Sequence, residues 1–149
     1  MRQELDDIFT DGQFKLMDEE FDEAIEIFTR VLEEDHDNGK VYQARAVAYL
    51  RKGSKAQALE DIERAIGCNP ENPRFHYHKG AILMQQEFFD EAIESLSRAI
   101  DLDPSYAAPY LLRGQIYEKL GDEEGASADM SMAMALKKEQ TKASKVVDF

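Results

Sequence analysis

Apolar side chains recur along this chain at helical spacing, in pairs of short segments. Phe89, Ile93, Leu96 and Ile100 follow one another at intervals of four, three and four residues. That spacing gathers them on one face of a helix and leaves Asp90, Glu91, Glu94 and Arg98 for the solvent side. With Leu83 in the segment before, the pattern predicts helices over roughly residues 73–86 and 89–102. Further along, Tyr110, Leu112, Ile116 and Tyr117 mark one segment, and Met130 and Leu136 the next.

Small residues punctuate this pattern with a fixed period. Gly12, Ala46, Gly80 and Gly114 are 34 residues apart. Twelve residues later come Ala24, Ala58, Ala92 and Ala126, and seven further on Val31, Ala65, Ala99 and Ala133. Only Val31 is neither Gly nor Ala. The register divides the chain without a gap into units 5–38, 39–72, 73–106 and 107–140, the mark of a stacked helical-repeat array. Each unit reads as helix, tight turn, helix, stop. Asn69-Pro70 and Asp103-Pro104 end two of them, because proline cannot donate a helical hydrogen bond. Gly53 and Gly121 stand where a first helix must close, and Asp90-Glu91 and Asp122-Glu123-Glu124 suit the positive start of a second. Two helices joined by a short turn approach closely only where side chains are small, so Gly80 is expected to face Ala92. Helices of this length are marginal alone in water, so stacking must hold them.

Bulk composition narrows the reading. The chain has 149 residues, 43% of them hydrophobic, which is enough for a core and contrary to disorder. No apolar run approaches a membrane span, and the acidic start MRQELDDIFTD lacks the apolar stretch of a secretory signal. A single Cys68 allows no internal disulfide, which fits a reducing compartment and a cytoplasmic location. Net charge is −13, and its placement is lopsided: residues 1–38 carry 14 acidic and 3 basic side chains. That field repels phosphate backbones, so nucleic acid is not an expected partner.

Chemistry-bearing motifs are missing. There is no GxGxxG, phosphate-binding GK[ST], HExxH or CxxC. His76 and His78, two apart, point to different faces of a helix and make a poor metal pair. His76 reads as a packed residue in an aromatic's place, and Cys68 as a core or semi-buried thiol. The many carboxylates fall on positions expected to face outward. No catalytic residue, metal or cofactor is assigned, and the chain is not expected to be an enzyme.

This pattern resembles the tetratricopeptide repeat, a 34-residue unit with small residues at positions 8, 20 and 27. The family favours aromatics at 4 and 11, a large apolar residue at 24 and proline at 32. Tyr42, Tyr49, Ile62 and Pro70 match in the second unit, and Tyr110, Tyr117 and Met130 in the fourth. The third keeps Leu83, Leu96 and Pro104 but has His76 at position 4, and the first is weakest, with Ile8, Lys15, Phe28 and His36. The resemblance implies an all-α, right-handed superhelical solenoid of four helix-turn-helix repeats and eight helices. Residues 141–149 would form a tail or part of a short C-terminal capping helix, the segment from Glu139 supplying it.

In the family the first helices line a concave groove that binds proteins. Carried over position by position, the candidate groove residues are Phe9, Gln13 and Met17, then Lys40, Gln43, Val47, Leu50 and Arg51. The third unit adds Arg74, Tyr77, His78, Met84 and Gln85, and the fourth Leu111 and Gln115. Phe9, Met17, Val47, Leu50, Tyr77, Met84 and Leu111 would make the groove unusually apolar, as binding patches are. Leu16, Leu50 and Met84 stand equally for packing between helices. The clamp by which some members hold the carboxylate tails of Hsp70 or Hsp90 needs Lys and Asn, then Asn, then Lys and Arg. Here those places hold Phe9 and Gln13, Ala44, and Arg74 and His78; one unit later they hold Gln43, Val47, His78, Ala108 and Leu112. Neither register makes a clamp. The expected function is a non-enzymatic adaptor that receives a peptide or amphipathic helix of another protein. A small acidic chaperone of the secretion type and a module that self-associates through its C-terminal repeat are the alternatives. If the register is right, Ala92→Leu and Ala126→Leu each lower stability by roughly 1–3 kcal/mol through overpacking, seen as a lower melting temperature.

Overall fold

A computed structural model describes residues 2–147, with side chains through residue 143. Its eight helices run in chain order as α1 (Gln3–Met17), α2 (Phe21–Glu34), α3 (Gly39–Lys52), α4 (Lys55–Cys68), α5 (Pro73–Gln85), α6 (Phe89–Leu102), α7 (Ala107–Lys119) and α8 (Glu123–Val147). The described residues contain no strand. Each helix packs on the one before and the one after it, and α1, α3, α5 and α7 also touch in sequence, whereas α2, α4, α6 and α8 do not. The first helices therefore form the inner row and the second helices the outer one. The result is an α-solenoid.

Local chemistry sets the boundaries. Asn38 and Asn72 cap α3 and α5 by accepting hydrogen bonds from the backbone N–H groups of Val41 and Arg74. Gly53 and Gly121 take the left-handed conformation after the first helices, at φ 98° and 81°. The corresponding places in the first and third units hold Glu19 and Glu87, which adopt φ 62° and 64°. A side chain with a Cβ pays about 1–2 kcal/mol there, so the turn geometry is imposed by helix packing rather than chosen by the local sequence.

The last helix is longer than its counterparts. Where α2, α4 and α6 give way to Asp35, Asn69 and Asp103, the fourth unit has Lys137, and α8 runs on to Val147, 25 residues in all. Without a proline or an Asx residue to break it, the segment from Glu139 to Val147 prolongs α8 and forms no separate capping helix. Phe149 lies outside the described residues.

Small residues sit where helices meet most closely. A Cβ on Gly80 would lie 2.6 Å from Leu96 Cγ and 3.4 Å from the Ala92 carbonyl oxygen, so Gly80 faces the backbone at Ala92 and Leu96 fills the space beside it. A Cβ on Gly12 would meet the Phe28 ring at 2.6 Å. Ala24, Ala58, Ala92, Ala65, Ala99 and Ala46 are fully buried.

Two carboxylates expected on the surface are in the interior. Asp61 and Asp129 are 2% and 5% exposed. Arg45 Nε and Nη2 donate to the two Asp61 oxygens at 2.7 and 2.8 Å, while its Nη1 donates to Thr29 Oγ1 at 3.0 Å. Arg113 repeats this with Asp129 at 2.8 and 2.9 Å and Ser97 Oγ at 3.0 Å. Each guanidinium also lies within 6 Å of two tyrosine rings, Tyr42 and Tyr49 or Tyr110 and Tyr117. Hydrogen bonding to Asp61 raises the Arg45 pKa and the bond to Asp129 that of Arg113, so both stay charged although burial opposes it. One arginine thus ties three helices: its own, the next, and the last helix of the preceding unit.

Removing one partner strands a buried charge. Asp61→Ala and Asp129→Ala are each expected to cost about 3 kcal/mol in urea unfolding. The apolar replacement Arg45→Met with Asp61→Leu should recover most of that loss.

Candidate functional site

The inner row of helices forms a concave face, and the candidate residues fall on it in three places. Gln13, Met17, Lys40, Gln43 and Val47 line a cleft of about 280 Å³ between α1 and α3, together with Phe9, Leu16 and Ala44. Phe9 is only 5% exposed and packs on Phe28 at 5.6 Å. It is a core residue that reaches the cleft as its floor, with the Lys40 ammonium 5.7 Å from its ring centroid. Met17, 72% exposed, is open to solvent, and Leu16, Leu50, Tyr77 and Met84 are half-buried, packing in part against the core clusters.

Midway along the face, Arg74, Tyr77 and His78 come together with a residue the sequence reading missed. The Arg74 guanidinium lies 5.0 Å over the ring of Tyr106, and Tyr106 meets Tyr77 edge-on at 5.5 Å. Tyr77 in turn contacts the His78 ring at 5.1 Å. Tyr106 closes the third unit, in the turn before α7, so a search confined to first-helix positions passes over it; an aromatic just ahead of the first-helix start was the available signal. Burial raises the Tyr77 and Tyr106 hydroxyl pKa values. Burial, and then the positive charge of Arg74, push His78 down to about 4. At neutral pH this histidine is an uncharged part of the platform.

Further along, Met84 and Gln115 line a shallower hollow with Glu118 and Lys119. Leu111 is half-buried and Gln85 exposed. Arg51 is committed elsewhere: it hydrogen-bonds the Leu16 carbonyl and Glu19 at 3.4 and 3.3 Å and covers the Phe21 ring at 5.1 Å, joining the first two units. One other reading changes, that of Cys68, whereas His76 keeps the aromatic's place expected for it. Cys68 is exposed rather than packed in the core. His76 is half-buried and donates from Nε2 to the Pro70 carbonyl at 2.7 Å, the bond that the Tyr42 and Tyr110 hydroxyls make to the carbonyls of His36 and Pro104. A larger cleft, about 490 Å³, lies away from the concave face, among His76, Lys79, Leu83 and Ser95. There the third unit lacks the tyrosines, arginine and aspartate that fill the same place in its neighbours. No group of His, Cys, Asp and Glu side chains among the described residues is arranged to hold a metal ion. No described helix is long and apolar enough to cross a membrane.

Such stacked helix pairs around a concave face define a helical-repeat scaffold, and comparison with known proteins supplies the family. Models described as TPR repeat and Tetratricopeptide repeat match residues 80–121 and 107–140, and one described as Anaphase-promoting complex, cyclosome, subunit 3 matches residues 3–99. The chain belongs to the tetratricopeptide repeat proteins. It is 36% identical over 98 residues to the TPR repeat-containing thioredoxin TTL4 of Arabidopsis thaliana, covering 66% of this chain and 14% of that protein. It is 32% identical over 125 residues to human Tetratricopeptide repeat protein 13, covering 80% of this chain and again 14% of the relative. The chain therefore spans about a seventh of the length of these curated relatives. Among solved structures it is similar to MamA, with a TM-score of 0.83 at 21% identity over 93% of this chain and 81% of that one. It is also similar to YrrB, described as a TPR protein with an unusual peptide-binding site, with a TM-score of 0.74 at 20% identity over 93% and 71%. These likenesses establish the fold, and the family matches establish the repeat class.

The half-buried His78 makes stability depend on pH. Its folded pKa of about 4 lies below the ordinary 6.5, so only the unfolded chain takes up this proton as pH falls through that interval. The stability is complete above about pH 6.5 and declines below it, by about 2 kcal/mol at pH 5. Unfolding curves should show this decline, and His78→Phe should remove that component.

Proposed function

We propose that the concave face holds a single segment of a partner protein, a peptide or an amphipathic helix, anchored by one apolar side chain in the cleft between α1 and α3. The observation that carries this reading is the composition of that cleft. Phe9, Leu16 and Val47 give it an apolar floor, and Gln13, Gln43 and Lys40 surround it with groups that donate or accept hydrogen bonds. Burying a leucine- or phenylalanine-sized side chain there contributes about 1.5–3 kcal/mol, while the amides fix the direction of the partner's backbone. The Arg74–Tyr106–Tyr77 platform offers a second contact further along, flat, aromatic and positively charged. Pockets with a few placed polar groups around an apolar floor are the usual form of recognition sites.

A peptide selected against the protein from a random display library tests this directly. Bound peptide should shift the amide resonances of Gln13, Lys40, Gln43 and Arg74, and Met17→Glu combined with Lys40→Glu should weaken binding at least tenfold with helicity unchanged. A footprint confined to α2, α4 and α6 would place recognition on the outer row and sink the proposal.

A further inference from the structure

The two flanks of α8 carry exposed large apolar side chains where the equivalent helices do not expose them. In the first three units the place of Met134 is taken by Leu32, Ile66 and Ile100, which the following first helix covers wholly or in part. Met134 is 72% exposed. The place of Met132 is held in those units by Arg30, Arg64 and Arg98, cations suited to water, whereas Met132 is 45% exposed. Charge along this helix is also graded: Asp122, Glu123 and Glu124 stand at its start, and Lys137, Lys138 and Lys142 in its later half.

We propose that two copies of the chain pair through α8 in antiparallel fashion. Reversing one copy lays the acidic start of each helix beside the lysines of the other. The register follows from the sequence. Glu124 lies nine residues before Ala133 and Lys142 nine residues after it. Nine residues are two and a half helical turns, so both side chains project from the side opposite Ala133. Ala133 itself is 2% exposed and faces the solenoid. With the two-fold axis at that level, Glu124 of each copy meets Lys142 of the other, and both ends of the contact are satisfied at once. Between them the outward face carries exposed Ala128, Ser131 and Ala135, small enough for the backbones to approach, and Met132 and Met134 close over the two flanks.

Head-to-tail stacking, which would continue the solenoid with a second copy, is the competing arrangement, and its charges oppose it. The free face of α1 presents Asp7 and Asp11 where the other units have Val41, Phe75 or Pro109 and Arg45, Lys79 or Arg113. At the junction of the first two units Lys52 pairs with Asp22; in a head-to-tail stack the corresponding residues are Asp18 and Glu124, two like charges. Asp7 would also lie in the row that contacts Met134. An isologous contact through α8 avoids both conflicts and closes on itself.

Light scattering or sedimentation of the 149-residue chain tests the pairing. The mass should rise from 17.0 kDa toward twice that value with concentration, and fall again as salt is raised. Met134→Lys should weaken association at least tenfold with the circular dichroism spectrum unchanged. Glu124→Lys and Lys142→Glu should each weaken it comparably, whereas the two together should restore it, because the swapped charges again face their opposites. A mass that stays at one chain up to about millimolar concentration, a dimer indifferent to Met134→Lys, or a charge swap that fails to restore pairing would each overturn the proposal.

Discussion

Close approach of paired helices is the constraint on which everything else in this molecule rests. A helix of 13 to 15 residues gains too little from its own hydrogen bonds to persist in water. It persists here because its partner lies near enough for Phe28, Ile62 and Leu96 to be fully enclosed. That nearness exists only where Gly12, Gly80 and Gly114 leave room for a neighbour's side chain or backbone. Because each unit repeats the arrangement, the inner row of helices is held in a curve, and the concave face is a consequence of packing behind it. The groove needs no structure of its own.

The four units are alike in outline but alternate in their chemistry. The second and fourth have glycine at the turn and a buried arginine between two tyrosines, bonded to an aspartate. The first and third have a glutamate in the left-handed turn and supply the hydroxyl, Thr29 or Ser97, that receives the next unit's arginine. The working period is therefore two units. In the third unit, where Lys79 and Ser95 replace arginine and aspartate, the lysine pairs instead with Glu63 of the preceding unit at 3.6 Å, and a cleft opens beside it. At the first and third junctions the arginine crosses to the preceding unit through its hydrogen bond to Thr29 or Ser97. The Arg74–Tyr106–Tyr77 platform spans the second of these, from α5 to the start of α7.

The fold was legible because a strict period repeats the small residues in all four units, and the turn glycines and stop prolines, each present in two units, agree with that register. The site was legible only in part. Gln13, Met17, Lys40, Gln43 and Val47 share one cleft because first-helix positions project inward with a fixed helical phase. Phe9 and Leu50 have the same phase, yet neighbouring helices enclose them to different depths, which periodicity does not encode. Tyr106 escaped because its place in the groove comes from the turn between units. Arg51 escaped for the opposite reason: its phase points to the groove, but Glu19 and Phe21 of the preceding unit hold it.

By itself, then, the order of residues determined the helices, their pairing, the number of units and the side from which the inner row would be read. These depend on contacts between residues less than one unit apart, and local spacing records such contacts. Only the assembled structure decided which carboxylates go inside and which groove residues meet solvent. Asp61 looks like any surface acid until Arg45, sixteen residues before it, reaches it from α3 while held from the preceding unit by Thr29. Burial of that kind is a property of several helices at once, and no single stretch of chain contains it.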